Sequence, residues 1–191
     1  MLSLKEFTNQ FKDIPEKSFD SFLQLASKVE FKKNEFLIKF NEVAINFYII
    51  KTGIVRSYIV DEKGKEYTRS FFTLGKPTGS LNSLLSKEPS KLAYECLTDC
   101  TLYKINYNNF MTLTKTDIGL ANLYSRLLEY VFFLMESEIY NLAILDASER
   151  YLKLKREIPD IENIIAQYHI AAYLNISAVQ LSRIRKKMYS K

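Results

Sequence analysis

The chain has 191 residues, ordinary apolar content, no Trp and a formal charge of +5, a size that suits one or two domains with real cores. No apolar run approaches the roughly 20 residues of a membrane helix; the longest candidate, Val131-Phe132-Phe133-Leu134-Met135, is short and is followed by Glu136 and Glu138. The N-terminus, Met1-Leu2-Ser3-Leu4-Lys5-Glu6, lacks a signal-peptide core, so a cytoplasmic protein without a membrane partner is expected.

The first residues read as a short amphipathic helix with Leu4, Phe7 and Phe11 on one side. From about Glu30 to Ile105 the chain is strand-rich. Phe36–Phe40 is the first clear run. Asn46–Ile50 leads through Lys51-Thr52-Gly53 into Ile54–Val60. Asp61-Glu62-Lys63-Gly64 is a turn signal, and Glu66–Phe72 is the return strand. Ala93–Leu97 and Thr101–Ile105 make a further pair around Asp99. Short strands with regular turns predict a β-sandwich or barrel.

Cys96 and Cys100 are the two cysteines. Both are expected on one strand, free and partly buried, because residues four apart on an extended strand are too distant for a disulfide. Two thiols cannot hold an iron–sulfur cluster. The strand region has no His, which argues against a metal enzyme on this scaffold. His169, the single histidine, is expected on a helix surface near a phosphate. No metal, cofactor or catalytic residue is predicted, and the chain is not expected to be an enzyme.

One long helix follows, from Tyr107 or Asp117 to Leu145. Leu120, Tyr124, Leu127, Val131 and Leu134 form one stripe; Leu128, Met135, Ile139 and Leu142 form a second. One stripe can pack on the strands. The other needs a different partner, and near-heptad spacing suits a parallel coiled-coil homodimer. The first stripe is assigned to dimerisation.

Asp146 is a cap candidate for a helix through Ala147-Ser148-Glu149-Arg150-Tyr151-Leu152. A connection around Pro159 leads to a two-helix pattern. Ile170, Ala171 and Leu174 form the inner face of the first helix. Asn175 falls at the turn, where a left-handed backbone is needed, and Ser177 is the N-cap of the second helix. Leu181, Ile184 and Met188 recur on its inner face. The other face carries Gln180, Arg183 and Lys187, with Ala178, Val179, Ser182 and Lys186 beside it. A buried stripe opposite a basic, hydrogen-bonding stripe suits a major-groove reading helix.

Charge placement agrees. From Ala147 onward nine Lys and Arg stand against four Asp and Glu, so the whole net charge lies in this segment and the rest of the chain balances. A polyanion partner accounts for that asymmetry.

Together the segments resemble the Crp/Fnr family of bacterial transcription regulators. The resemblance rests on Asn141–Arg150 at the junction after the long helix, on Ile170-Ala171, Leu174 and Ser182-Arg183-Ile184-Arg185, and on Tyr48–Arg56 with the Gly64 turn. It implies an α+β chain in three parts. An N-terminal antiparallel β-roll, jelly-roll-like and related to cyclic-nucleotide-binding domains, spans residues 1–110. A dimerisation helix spans 111–145. A helix-turn-helix spans 146–191, with a truncated or absent wing. Double-stranded DNA with a near-palindromic site, a second copy of the chain and RNA polymerase are the partners implied. Gln180 and Arg183 are assigned to bases, with Ala178, Val179 and Ser182 on the same face. Gln167, Ser177, Arg185, Lys186 and Lys187 are assigned to phosphates.

The ligand signature departs from the family pattern. Nucleotide-binding members carry Gly-Glu-Leu, then Arg-Ser/Thr-Ala about ten residues on. Here the stretch is Gly79-Ser80-Leu81, and the Arg position falls at Ser90, beside Lys91. Met135 and Glu136 take the dimer-helix positions that would face a purine. A degenerate pocket, no control by cyclic AMP and an unidentified effector are therefore expected. The rival reading is a small-molecule-sensing signalling module whose C-terminal helices bind a protein partner.

Overall fold

The computed structural model describes residues 4–11 and 14–189. Two helices lead the chain, α1 (Leu4–Asn9) and α2 (Glu16–Leu25). Eight strands and one short helix follow: β1 (Ala26–Phe31), β2 (Phe36–Ile38), β3 (Asn46–Thr52), β4 (Val55–Val60), β5 (Glu66–Phe72), β6 (Pro77–Thr78), α3 (Leu81–Ser86), β7 (Ala93–Cys96) and β8 (Cys100–Asn106). The rest is helical: α4 (Tyr107–Thr114), α5 (Ile118–Ile144), α6 (Ala147–Glu157), α7 (Ile161–Ile164), α8 (Gln167–Leu174) and α9 (Ala178–Tyr189). The strands pair antiparallel in two four-stranded sheets, ordered β1-β8-β3-β6 and β2-β7-β4-β5. The expected antiparallel roll is present. β1, β6, α2 and α3 are additions that the strand pattern did not reveal.

Local chemistry sets several boundaries. In the β4–β5 hairpin the Asp61 carboxylate accepts from the Lys63 and Lys65 amides, 2.9 Å each, and Gly64 takes φ +79°. Of the two starts expected for the long helix, Asp117 is the one found. α4 ends near Lys115, and Asp117 caps α5 by accepting from the Leu120 amide. Ser18 of α2 donates to the same carboxylate at 2.7 Å. Gly119 makes that approach possible, since a Cβ there would lie 2.4 Å from Ser18 Oγ.

Three apolar clusters hold the chain. One fills the space between the sheets, around Tyr48, Ile50, Tyr94 and Leu102. A second joins α1, α2, α4 and α5 to the outer face of the first sheet. Leu4, Phe7 and Phe11 are all buried in it, as the amphipathic reading of that segment requires. The third is the core of α6–α9, and it takes in Ile54, Phe71 and Leu97 from the roll. The C-terminal helices and the roll thus share one apolar cluster.

Cys96 and Cys100 are buried free thiols, but they do not share a strand. Cys96 ends β7 in one sheet and Cys100 begins β8 in the other, because the chain crosses the sandwich between them.

The stripe assigned to dimerisation is internal over most of its length. Leu120 and Leu127 are buried in the chain's own core, Leu123 joins them, and Tyr124 packs alongside. These residues are core rather than interface, because α5 lies on α2 and α4 through that face. Val131 is half-buried and Leu134 is exposed at the far end. The C-terminal half instead exposes Phe132, Phe133, Met135, Ile139, Tyr140, Leu142 and Ile144. By length and composition α5 is long and apolar enough to cross a membrane, which the run-length argument did not anticipate. Its N-terminal half is committed to the protein core.

Candidate nucleic-acid interface and effector site

The C-terminal helices are built by caps. Asp146 and Glu149 form a reciprocal capping box at the start of α6. α8 ends at Asn175, whose φ is +53°, and the residue tolerates the left-handed turn as expected. Ser177 caps α9 by accepting from the Gln180 amide at 3.2 Å. The Gln180 side-chain oxygen accepts in turn from the Ser177 amide at 2.9 Å. Its carbonyl oxygen is therefore occupied by the cap, which leaves the amide nitrogen for any base contact.

Inner faces are as spaced. Ile170, Ala171, Leu174 and Leu181 are buried, and Ile184 and Met188 pack against them. At 3.6 residues per turn, Val179, Arg183 and Lys186 stand opposite Leu181. Ser177, Ala178, Val179, Gln180, Ser182, Arg183, Lys186 and Lys187 are all exposed. They form a continuous polar and cationic face on a capped helix.

Two assigned phosphate contacts point elsewhere. Gln167 donates to the Glu162 carbonyl at 3.1 Å and is half-buried. Arg185 lies on the flank of α9 and pairs with the Glu162 carboxylate at 2.7 Å. Glu162 also pairs with Lys155 at 2.8 Å and accepts from Tyr151 and Tyr189. Burial pulls this carboxyl upward, but the bonds from Lys155, Tyr151 and Tyr189 outweigh it and hold the group down at about 2. Sequence reasoning saw Glu162 only as a charge that lowers the segment's total. Its place among cations was the available signal.

His169 is also corrected. It is buried at the join between α8 and the roll, not exposed near a phosphate. Burial lowers its imidazole to about 4, and the nearby Arg56 and Lys33 charges act in the same direction. Arg56 is itself buried on β4, with Nε 2.8 Å from Glu95 and Nη1 2.6 Å from Glu66. Phe71 of β5 meets Tyr173 of α8, and Lys65 donates to Asn175 at 3.2 Å. Helix α8 thus docks on the second sheet.

Of the residues expected at an effector pocket, Ser80 and Ser90 are both buried, and Ser90 donates to Ser80 at 2.9 Å. The fold brings the two together although they lie ten residues apart in the sequence. The Ser90 hydroxyl also lies 2.7 Å from the Leu92 carbonyl and accepts from the Leu92 amide at 3.2 Å. Ser83 fixes the segment by accepting from the Ala44 amide and donating to the Glu88 carbonyl. Gly79 and Leu81 flank Ser80, half-buried, and Gly79 has a φ of +148°. Lys91 is exposed beside Ser90, and Met135 and Glu136 lie on the exposed half of α5. A cleft of about 400 Å³ lies elsewhere on the roll, lined by Leu37, Ile38, Glu42, Val43 and Tyr48.

Residues 28–117 match the family described as the cyclic nucleotide-binding domain. Solved structures extend the likeness to the helices. FixK2 from Bradyrhizobium japonicum superposes with a TM-score of 0.72 at 21% identity, over 86% of this chain and 85% of that one. The chain has the Crp/Fnr fold. A Crp/Fnr-family putative transcriptional regulator from Eubacterium rectale superposes on it with a TM-score of 0.71 at 17% identity, over 93% and 87% of the two chains. The c-di-GMP-responsive regulator CLP of Xanthomonas campestris gives 0.67 at 15% identity, over 92% of each. No curated protein sequence matches this Crp/Fnr-fold chain.

Proposed function

We propose that the chain is a homodimeric, sequence-specific, DNA-binding transcription regulator that is not controlled by cyclic AMP. The observation that carries this reading is the face of α9. Arg183, Lys186 and Lys187 project with Ser182, Val179 and Ala178 from a helix whose opposite side is buried and whose start is capped. Arg183 is the guanine reader, and the apolar Ala178 and Val179 suit thymine methyls. Lys186, Lys187 and Ser177 are the phosphate contacts, which position without specifying sequence.

Self-association is supported by the exposed half of α5. Leu128, Phe132, Met135, Ile139 and Leu142 follow each other at spacings of four, three, four and three, and all but the half-buried Leu128 are exposed. Pairing two such helices places two readers on successive major grooves, about 34 Å apart. Arg126 and Glu129 in the same helix argue against a lipid surroundings for it. The cell interior is the compartment that fits a DNA reader, with RNA polymerase as a further partner. Cyclic AMP is disfavoured because a cyclic phosphate needs a cationic fork, and the fork position is a buried serine already bonded to its neighbour.

Selection of bound duplexes from a random pool tests the reading. A two-fold symmetric site is expected. A pool that shows no enrichment at low ionic strength overturns it.

A further inference from the structure

Glu162 sits where no reading face reaches. Its carboxylate is 10% exposed and receives groups from two helices. Tyr151 and Lys155 come from α6; Arg185 and Tyr189 come from α9, one turn apart. Lys155 Nζ approaches Oε2 at 2.8 Å and the Tyr189 hydroxyl reaches Oε2 at 2.6 Å, while Arg185 Nε lies 2.7 Å from Oε1 as an ion pair without hydrogen-bond alignment. One carboxylate therefore holds two of the cations of the basic segment. A carboxylate and a phosphate offer a guanidinium the same pair of oxygens. Any DNA phosphate that recruits Arg185 must compete with an anion already in place.

We infer that Glu162 sets the discrimination of the reader, by holding Arg185 back from the DNA backbone while fixing the tilt of α9 through Arg185 and Tyr189. This rests on the DNA-binding reading above. Sequence-independent affinity is built from phosphate contacts. A cation withheld by an internal acid lowers that affinity for every duplex alike. The contacts of Arg183, on the far face of α9, are left intact. The ratio of specific to non-specific binding is raised as a result.

The test measures binding of the full chain to its selected duplex and to a scrambled duplex, across a salt series. E162Q keeps the shape and one acceptor oxygen for the tyrosine hydroxyls, but removes the charge that holds Arg185 and Lys155. It is expected to tighten binding to scrambled DNA roughly 5- to 10-fold, and to steepen the slope of log K against log salt by about 0.9. R185Q in the E162Q background should return the slope to the wild-type value. An unchanged slope in E162Q, or a parallel loss of affinity for both duplexes, overturns the proposal and leaves only a structural role. If E162Q does not melt cooperatively, R185Q alone decides. An unchanged wild-type slope supports the proposal, and a fall of about 0.9 overturns it, because Arg185 then already contacts phosphate. Failure of the wild type to bind any duplex defeats the DNA-binding reading itself, and this inference with it.

Discussion

The ring of Phe71, on β5, lies 5.2 Å from the ring of Tyr173, on α8. This pair ties the sheet of the roll to the first helix of the reader, with Ile54 and Leu97 beside it in the same apolar cluster. The roll and the C-terminal helices are therefore expected to melt as one body. Phe71→Ala removes a buried ring and should cost about 3 kcal/mol. Calorimetry should resolve the single transition of the wild type into two, with the C-terminal helices melting first. A single transition shifted as a whole would contradict the coupling.

Acid should loosen the C-terminal helices in two windows. His169 has a folded pKa of about 4 against an ordinary 6.5. The unfolded chain takes the proton first, so the contribution of the buried neutral imidazole is complete above 6.5 and is lost as pH falls toward 4. Glu162 lies at about 2 against an ordinary 4.5, and its contribution is complete above 4.5 and fades toward 2. Urea midpoints at pH 8, 5.5 and 4 should fall in that order. His169→Gln should flatten the step from 8 to 5.5, and a step that survives this change points to another group.

Arg183→Ala should cost roughly 1–3 kcal/mol on the selected duplex and relax preference at one base pair. Lys187→Ala should instead weaken all duplexes alike and reduce the salt slope by about 0.9. Equal loss on selected and scrambled DNA for Arg183→Ala would assign that side chain to the backbone.

Ile139→Glu places a charge in the exposed stripe of α5. It should convert the dimer to a monomer in sedimentation velocity with the helical signal unchanged, and it should abolish retention on the two-fold site. Leu120→Glu should instead unfold the chain, because Leu120 is fully buried within it. A dimer that survives Ile139→Glu would place the interface elsewhere.

Cyclic AMP at millimolar concentration should leave Tm unchanged, since a ligand stabilises only by binding the folded state. Ser80 and Ser90 are buried and bonded to each other, and neither carries the charge that a cyclic phosphate needs. A concentration-dependent rise in Tm would show that the segment still opens to a phosphate.

What was legible in the sequence is what short-range chemistry decides. Asn175 turns the chain because its side chain tolerates the left-handed region. Ser177 and Asp146 cap because their oxygens lie within three residues of a free amide. Leu174 and Leu181 are buried because helical spacing puts them on one face.

What the tertiary structure alone decided depends on partners far away in the chain. α5 has two apolar stripes of similar spacing, and only the arrival of α2, through Ser18 and Asp117, chooses the inner one. His169 reads as a surface residue until α8 docks on β5, and Cys96 and Cys100 read as one strand until the chain crosses between sheets. Glu162 is an ordinary acid in the sequence and becomes the meeting point of α6 and α9 when they fold together. Periodicity states that a helix has an apolar face. Which surface covers that face depends on contacts between distant segments, which spacing along one segment does not encode.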